Sequence, residues 1–258
     1  MALNEIHVLP GFQPIFREIG LDAEAVFDHR QIIPWRTLPD RQNCTLDAEL
    51  ADGTRVRWHI KRYVATDHPQ SPAQHDVQGQ RLLESKDIPT APLIAWGNVA
   101  DGRSFVIFED LKGYLPADKL LEKQACFDAL LEPTADLAAK LHHAGLHHRD
   151  MYLCHFFARP QEAGDLRLID AARVKRLPGW PMRQRWIVKD LAQFWYSTLK
   201  LPINDAQREA WLQRYAGRRG LPSGATLRPS ILRKVRQIAR HDAKLNLDRP
   251  TRNISIPR

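Results

Sequence analysis

Three aspartates and one lysine, far apart in the chain, are of the types that phosphoryl transfer requires. The run LHHAGLHHRD ends in His148, Arg149 and Asp150. A carboxylate held on such a loop can orient an acceptor hydroxyl and take its proton as the oxygen attacks a terminal phosphate. Asp150 is therefore the candidate base, with His148 and Arg149 beside it as further candidate catalytic residues. Downstream, Asp170 ends the apolar run LRLID, a position from which a carboxylate can hold Mg²⁺ against phosphates. Lys61 closes the strand-like segment VRWHIK and can bind two phosphates as a point charge. Such a lysine needs an acid to hold it. Asp76 and Glu84 are the candidates, and Asp76 fits better by its distance from residues 88–90.

Each residue also has an ordinary explanation. A polar triplet is usually a solvated turn, Asp170 a turn residue or helix N-cap, Lys61 a solvated strand end, and Asp76 a favourable charge near a helix N-terminus. Their order along the chain argues for chemistry, so the elements that carry them matter. Leu46, Ala48 and Leu50, then Val56, Trp58 and Ile60, alternate with polar residues around Asp52-Gly53, which predicts a hairpin with His59 and Lys61 on one face. Residues 73–86 predict a short helix and 104–110 a strand. Residues 118–145 carry Leu120, Leu121, Phe127, Leu130, Leu131, Leu137, Ala138 and Leu141 at helical intervals, with a break expected at Pro133 and a cap at Gly145. The segments LCHFFA and LRLID follow, around a turn expected at EAGD, and from about residue 184 the pattern is helical and basic. The expectation is a bilobal α+β chain: one domain over 1–258, with a β-rich N-lobe to about 110, a larger helical C-lobe over 111–258, and a basic helical stretch over 227–258.

The string HHRDMYLCHF, with LHHAG before it, LIDAARVKR after it and KDLAQFWYS at 189–197, resembles the lipopolysaccharide core kinase (Kdo/WaaP) family, part of the protein-kinase-like superfamily. The resemblance runs from about residue 30 to 215. It implies ATP and Mg²⁺ as cofactors, and phosphorylation of heptose or Kdo in the lipopolysaccharide inner core. By position, Lys61 matches the phosphate-binding lysine, Asp76 its partner, Asp150 the catalytic aspartate and Asp170 the metal ligand. His155 stands where protein kinases carry a metal-binding asparagine. Imidazole suits Mg²⁺ poorly, so a hydrogen-bonding role is weighed beside a metal one. The usual glycine-rich loop is missing, since Gly53 belongs to the hairpin, and Arg36-Thr37-Leu38 is the candidate phosphate cover. Glu109 and Leu111 are the candidates for backbone contacts to adenine.

The net charge of +8 and a pI of 9.6 favour anionic partners, here a lipopolysaccharide core. No zinc-finger, RNA-binding or basic-zipper signature argues for nucleic acid. Cys44, Cys126 and Cys154 lack paired spacing, which suits a reducing cytoplasm. The start MALNEIHVLPGFQ does not read as a signal peptide, and no apolar run approaches the roughly 20 residues of a membrane span. The expectation is a cytoplasmic protein with peripheral contact to the inner membrane, through a basic amphipathic helix bearing Ile231, Val235 and Ile238; the bland alternative docks that face on the large lobe. The rival readings are a small-molecule phosphotransferase of the aminoglycoside or choline kinase type and a catalytically inactive kinase-like binding module.

Overall fold

In a computed structural model, residues 4–123 and 126–248 are described. The alternating segments pair into a six-stranded antiparallel sheet, order β1-β5-β6-β4-β3-β2. Its strands are β1 (Glu5–Val8), β2 (Ile32–Thr37), β3 (Arg41–Glu49), β4 (Arg55–Tyr63), β5 (Leu93–Asn98) and β6 (Ser104–Glu109). The alternation in β4 gives the sheet two different faces. Trp58 and Ile60 bury with Cys44, Leu46, Phe105 and Ile107 against α1 (Gln13–Glu18) and α2 (Ala25–Asp28), through Phe16, Leu21 and Val26. On the other face Tyr63 and Val106 pack with Ala73 and Val77 of α3 (Pro72–Glu84). His59, Lys61 and Tyr63 share the parity of that face, so the hairpin register alone commits Lys61 to the side where α3 lies.

The chain forms two compact units: one of residues 4–80 and 91–111, the other of 81–90 and 112–248. The second is mainly helical, with α4 (Ala117–Glu122), α5 (Phe127–His143), α6 (Met182–Thr198), α7 (Asp205–Arg218) and α8 (Arg228–Asp248). A three-stranded sheet, order β10-β9-β7, joins β7 (Leu115–Pro116), β9 (Phe156–Arg159) and β10 (Glu162–Leu168), and β8 (Leu146–His147) pairs with β11 (Lys175–Arg176). A large apolar core runs through this unit from Ala117 to Val235.

Two local expectations are corrected. The helix expected to break at Pro133 breaks earlier, and Pro133 lies inside α5. The ring removes only the N–H that would bond the Ala129 carbonyl. Buried Leu130, Ala135, Leu137, Ala138 and Leu141 hold the helix in place, and Thr134 Oγ1 bonds the Leu130 carbonyl at 2.6 Å. The turn expected at EAGD is strand: the chain reverses at Pro160-Gln161, and a register shift between Glu162 and Leu166 absorbs the extra residues of β10. Gly145, at φ +76°, ends α5 as expected, in the left-handed conformation that glycine adopts without a Cβ penalty.

Of the basic stretch 227–258, residues 249–258 lie outside the described residues. The rest is α8, whose Ile231 and Val235 are buried and whose Ile238 packs on the core, while Tyr196 Oη donates to Asp242 at 2.6 Å. Its apolar face is therefore spent within the protein. Among the described residues no helix is long and apolar enough to cross a membrane.

Candidate active site

In the first unit, Lys61 on β4 places Nζ 2.7 Å from Oδ1 of Asp76 on α3, and the Tyr63 hydroxyl donates to Oδ2 of the same carboxylate. Asp76 is fully buried, so both oxygens are satisfied by side chains two residues apart on one strand face. That arrangement lets a short aspartate do what a longer glutamate would otherwise do: α3 sits close because Ala73 and Val77 pack directly on the sheet. Glu84, the alternative partner, is exposed at the end of α3. Asn43 pairs with both Lys61 and Arg36 in the register, so Arg36 of β2 lies on the same face as Lys61. A hairpin turn closed by Leu38 N–H to the Arg41 carbonyl (2.8 Å) follows it. Gly53, at φ +81°, is in the turn between β3 and β4.

His59 Nε2 lies 2.7 Å from Asp110 Oδ1, which makes it a partly buried partner of the segment after β6 rather than a solvent-facing side chain. Glu109 pairs with Trp58, so its side chain shares the face opposite Lys61, and its N–H donates to the Pro92 carbonyl at 2.9 Å. Only its carbonyl remains for a ligand. Leu111 follows, half-buried.

The second unit gathers the other candidates. Asp150, His155 and Asp170 offer ligand atoms that lie within 4.8 Å of one another. The loop from His148 to Leu153 is held from below by one face of α6. Asp190, fully buried, accepts the His148 N–H at Oδ2 (2.7 Å) and the Arg149 N–H at Oδ1 (2.8 Å). One turn on, Gln193 accepts the Met151 N–H (3.2 Å) and donates to the Arg149 carbonyl (3.0 Å) and to Asp150 Oδ1 (3.4 Å). Ser197 Oγ accepts the Leu153 N–H at 2.9 Å. Asp190, Gln193 and Ser197 stand at i, i+3 and i+7, a single helical stripe reserved for backbone groups of the loop.

Behind Asp190, His142 of α5 places Nε2 3.2 Å from Oδ2, and its Nδ1 meets the Tyr215 hydroxyl at 2.7 Å. The chain of bonds fits Tyr215 donating to a neutral His142, which donates to Asp190. Burial works against the Asp190 carboxylate, but the His142 bond and the His148 amide outweigh it and hold its pKa below the usual range. Burial also pushes the Tyr215 phenol up. His148 Nε2 donates to the Ile169 carbonyl at 3.0 Å and so ties the loop to the segment bearing Asp170. Burial, then the His155 charge, push His148 down, consistent with a neutral donor.

His155 Nδ1 donates to the Asp150 carbonyl at 2.6 Å, leaving Nε2 facing Asp170 Oδ2 at 3.8 Å. Burial alone would lower this imidazole, but the Cys154 sulfur and the Asp170 and Asp150 carboxylates carry its pKa up to about 10. Arg149 and Asp170 both adopt positive φ, +67° and +63°, conformations that cost a non-glycine residue about 1 kcal/mol or more and persist only where surrounding bonds dictate them. Asp190 and Gln193 supply those bonds for Arg149, and the left-handed turn at Asp170 aims its carboxylate back toward Asp150 and His155.

The donor set suits a hard divalent cation to the extent of its carboxylates; one imidazole nitrogen among them is the less suitable ligand. Sequence reading did not single out Tyr63, His142, Asp190, Gln193 or Ser197. The signal was there for most of them, since LHHAG contains His142 and KDLAQFWYS contains the whole α6 stripe.

Residues 55–215 match the profile of the lipopolysaccharide kinase (Kdo/WaaP) family. A lipopolysaccharide core heptose(I) kinase WaaP from Pseudomonas aeruginosa is 28% identical over 159 residues, 55% of this chain and 59% of the relative. The protein of the same description from Escherichia coli is 26% identical over 180 residues, 62% of this chain and 64% of the relative. The chain thus matches just under two thirds of the length of these curated relatives. Among solved structures, the pseudokinase domain of BIR2, an immune regulator of the RLK/Pelle family, superposes with a TM-score of 0.47 at 14% identity, covering 90% of this chain and 81% of that one.

Proposed function

The chain belongs to the lipopolysaccharide kinase (Kdo/WaaP) family, and from that premise we propose that it transfers the terminal phosphate of ATP to a sugar hydroxyl of the lipopolysaccharide inner core, heptose or Kdo. The names of its relatives favour heptose. The observation that carries the reading is the convergence of Asp150 and Asp170 on a loop braced from α6. An inactive binding module would have no use for two carboxylates held together in one strained cluster.

In this reading Lys61, fixed by Asp76 and Tyr63, binds ATP phosphates as a cation, and Arg36 on the same sheet face supplies a second charge. Glu109 and Leu111 meet adenine through backbone groups. Asp170 would hold Mg²⁺, which when bound neutralises charge on the phosphates. His155 donates Nδ1–H to the Asp150 carbonyl and turns Nε2 toward Asp170, which ties the two aspartates together. Asp150 accepts the proton of the acceptor hydroxyl, whose oxygen bonds to the terminal phosphorus as the bond to the ADP oxygen breaks and ADP leaves. Gln193 keeps the Asp150 carboxylate oriented. His148 and Arg149 act through the loop, by their amides on Asp190. The chain works in the cytoplasm, where its net charge of +8 favours an anionic acceptor.

The test is transfer of labelled phosphate from ATP to purified core lipopolysaccharide by wild type and Asp150→Asn, with nucleotide binding measured alongside. General-base loss is typically about 10²- to 10⁴-fold, so transfer should collapse while ATP still binds. Near-normal transfer by the variant would remove Asp150 from the reaction. Mass spectrometry of cores from cells with and without the gene then names the acceptor, as the loss of one phosphate.

A further inference from the structure

The side chains around Asp150 are unbalanced in charge. Arg173, in the turn after Asp170, brings Nη1 to 3.9 Å from Asp150 Oδ1, too far for a firm bond. The Arg149 guanidinium stacks on Trp186 of α6 at 4.6 Å, and its Nε is buried with no hydrogen-bond partner among the described residues. Lys189, one residue before the buried Asp190, holds Nζ over the same indole at 5.2 Å. Burial first, then the charges of Arg173 and Arg149, lower the Lys189 pKa. His147, packed on Trp186 at 4.9 Å, adds no charge at neutral pH, because burial holds it down to about 4. Asp190 is turned toward the His148 and Arg149 amides and His142 and acts on Lys189 only through space, and among the described residues Asp150 is the anion paired with a cation of the group. The sequence extends the imbalance: between Asp170 and Asp190 there is no acidic residue, but Arg173, Lys175, Arg176, Arg183, Arg185 and Lys189.

Three cations gathered beside a candidate base repel one another, a cost that Asp150 and Asp190 offset only in part. An anion brought by a ligand would offset it, and guanidinium and ammonium groups on an indole platform are suited to an oxyanion. We propose that Arg149, Arg173 and Lys189, framed by Trp186, form a subsite for an anionic substituent of the acceptor, a carboxylate or a phosphate, that seats the acceptor hydroxyl at Asp150. The inference rests on the reading of Asp150 as the base. It adds a requirement: the acceptor must already carry negative charge near the hydroxyl to be phosphorylated, so the reaction must follow whichever step installs that group.

The experiment is steady-state transfer from ATP to core oligosaccharide in three forms: native, carboxyl-reduced and dephosphorylated. The enzymes are wild type, Arg173→Gln, Lys189→Gln and the charge-keeping Lys189→Arg. A charge-assisted contact at a partly exposed site corresponds to about a tenfold effect. Each Gln variant should raise the acceptor KM about tenfold, with the KM for ATP within about twofold and Lys189→Arg close to wild type. Wild type should show a similar rise on one charge-stripped acceptor, and the Gln variants no further rise on it. Which acceptor behaves this way tells carboxylate from phosphate. Equal use of all three acceptors by wild type overturns the proposal, as does a parallel rise in the KM for ATP, which would assign the cations to nucleotide. Absence of transfer to every acceptor by wild type would instead overturn the phosphotransferase reading itself. Arg173 is 57% exposed, so its replacement is compatible with folding, and retention of function in Lys189→Arg separates charge from packing.

Discussion

Replacing Asp190 by Asn should loosen the loop from His148 to Leu153. The carboxylate is fully buried and accepts two backbone N–H groups, one on each oxygen, at 2.7 and 2.8 Å, with His142 on Oδ2 at 3.2 Å. An Asn can keep one amide on its carbonyl, but must turn its NH₂ toward the other. The variant therefore loses one charge-assisted bond outright, about 1.5–3 kcal/mol, and leaves a buried donor facing a donor. The surviving bond becomes a neutral one, at roughly half its former strength. A loss of about 3 kcal/mol follows, a factor of about 100 in the folded population. Positive φ at Arg149 relies on the same contacts, so Asp150 should lose its position and transfer should fall steeply. Urea denaturation measures the stability term, and hydrogen exchange at the His148 and Arg149 amides localises it. Asp190→Asn combined with His142→Phe should be markedly non-additive, because the two share one network. An Asn variant within about 0.5 kcal/mol of wild type, with both amides still protected, would refute the bracing argument.

Three further perturbations follow from the same geometry. Tyr63→Phe leaves a buried Asp76 oxygen without its donor, and a loss of about 1–3 kcal/mol is expected in urea titration; a loss below about 0.5 kcal/mol would mean that Lys61 alone satisfies the carboxylate. Asp170→Asn should abolish turnover at any Mg²⁺ concentration while keeping stability, since asparagine tolerates left-handed backbone, whereas Asp170→Ala should cost about a further 1 kcal/mol from its φ of +63°; full turnover in either variant at saturating Mg²⁺ counts against the metal assignment. His147, which burial holds down to about 4 in the folded chain against an ordinary value of about 6.5, binds its proton more readily in the unfolded chain. Stability is thus fully present above about pH 6.5 and falls as pH drops toward 4, by about 2 kcal/mol between pH 7 and 5; a His147→Gln protein whose stability falls just as much over that interval would show that other groups carry the effect.

How much of this was legible beforehand depended on how local each cause is. The alternation in residues 55–61 committed Lys61 and His59 to one sheet face, and residues 73–86 read as a helix bearing Asp76, but the packing of Ala73 and Val77 on the sheet is what turns that carboxylate to Lys61. The cap at Gly145 and the order of His148, Arg149, Asp150, His155 and Asp170 were equally readable, because each is set by neighbours one to four residues away. The string HHRDMYLCHF carried the resemblance to the family that residues 55–215 match. Local pattern failed where tertiary packing outweighed it. Pro133 reads as a breaker, yet buried leucines and alanines on either side keep α5 continuous; EAGD reads as a turn, yet a bulge carries it along β10.

The sequence by itself determined which residues are candidates for the chemistry and in what order they come, since side-chain type and short-range period are written directly into the chain. What the tertiary structure alone decided is how those residues are held. The amides of His148 and Arg149 meet Asp190 across 42 and 41 positions, Tyr215 reaches His142 across 73, and Arg149 and Lys189 come to share one indole. No periodicity encodes such pairings. They arise because buried backbone groups must find acceptors and buried carboxylates must find donors, and the partner that satisfies them is fixed only when α5, α6 and α7 close on a common core.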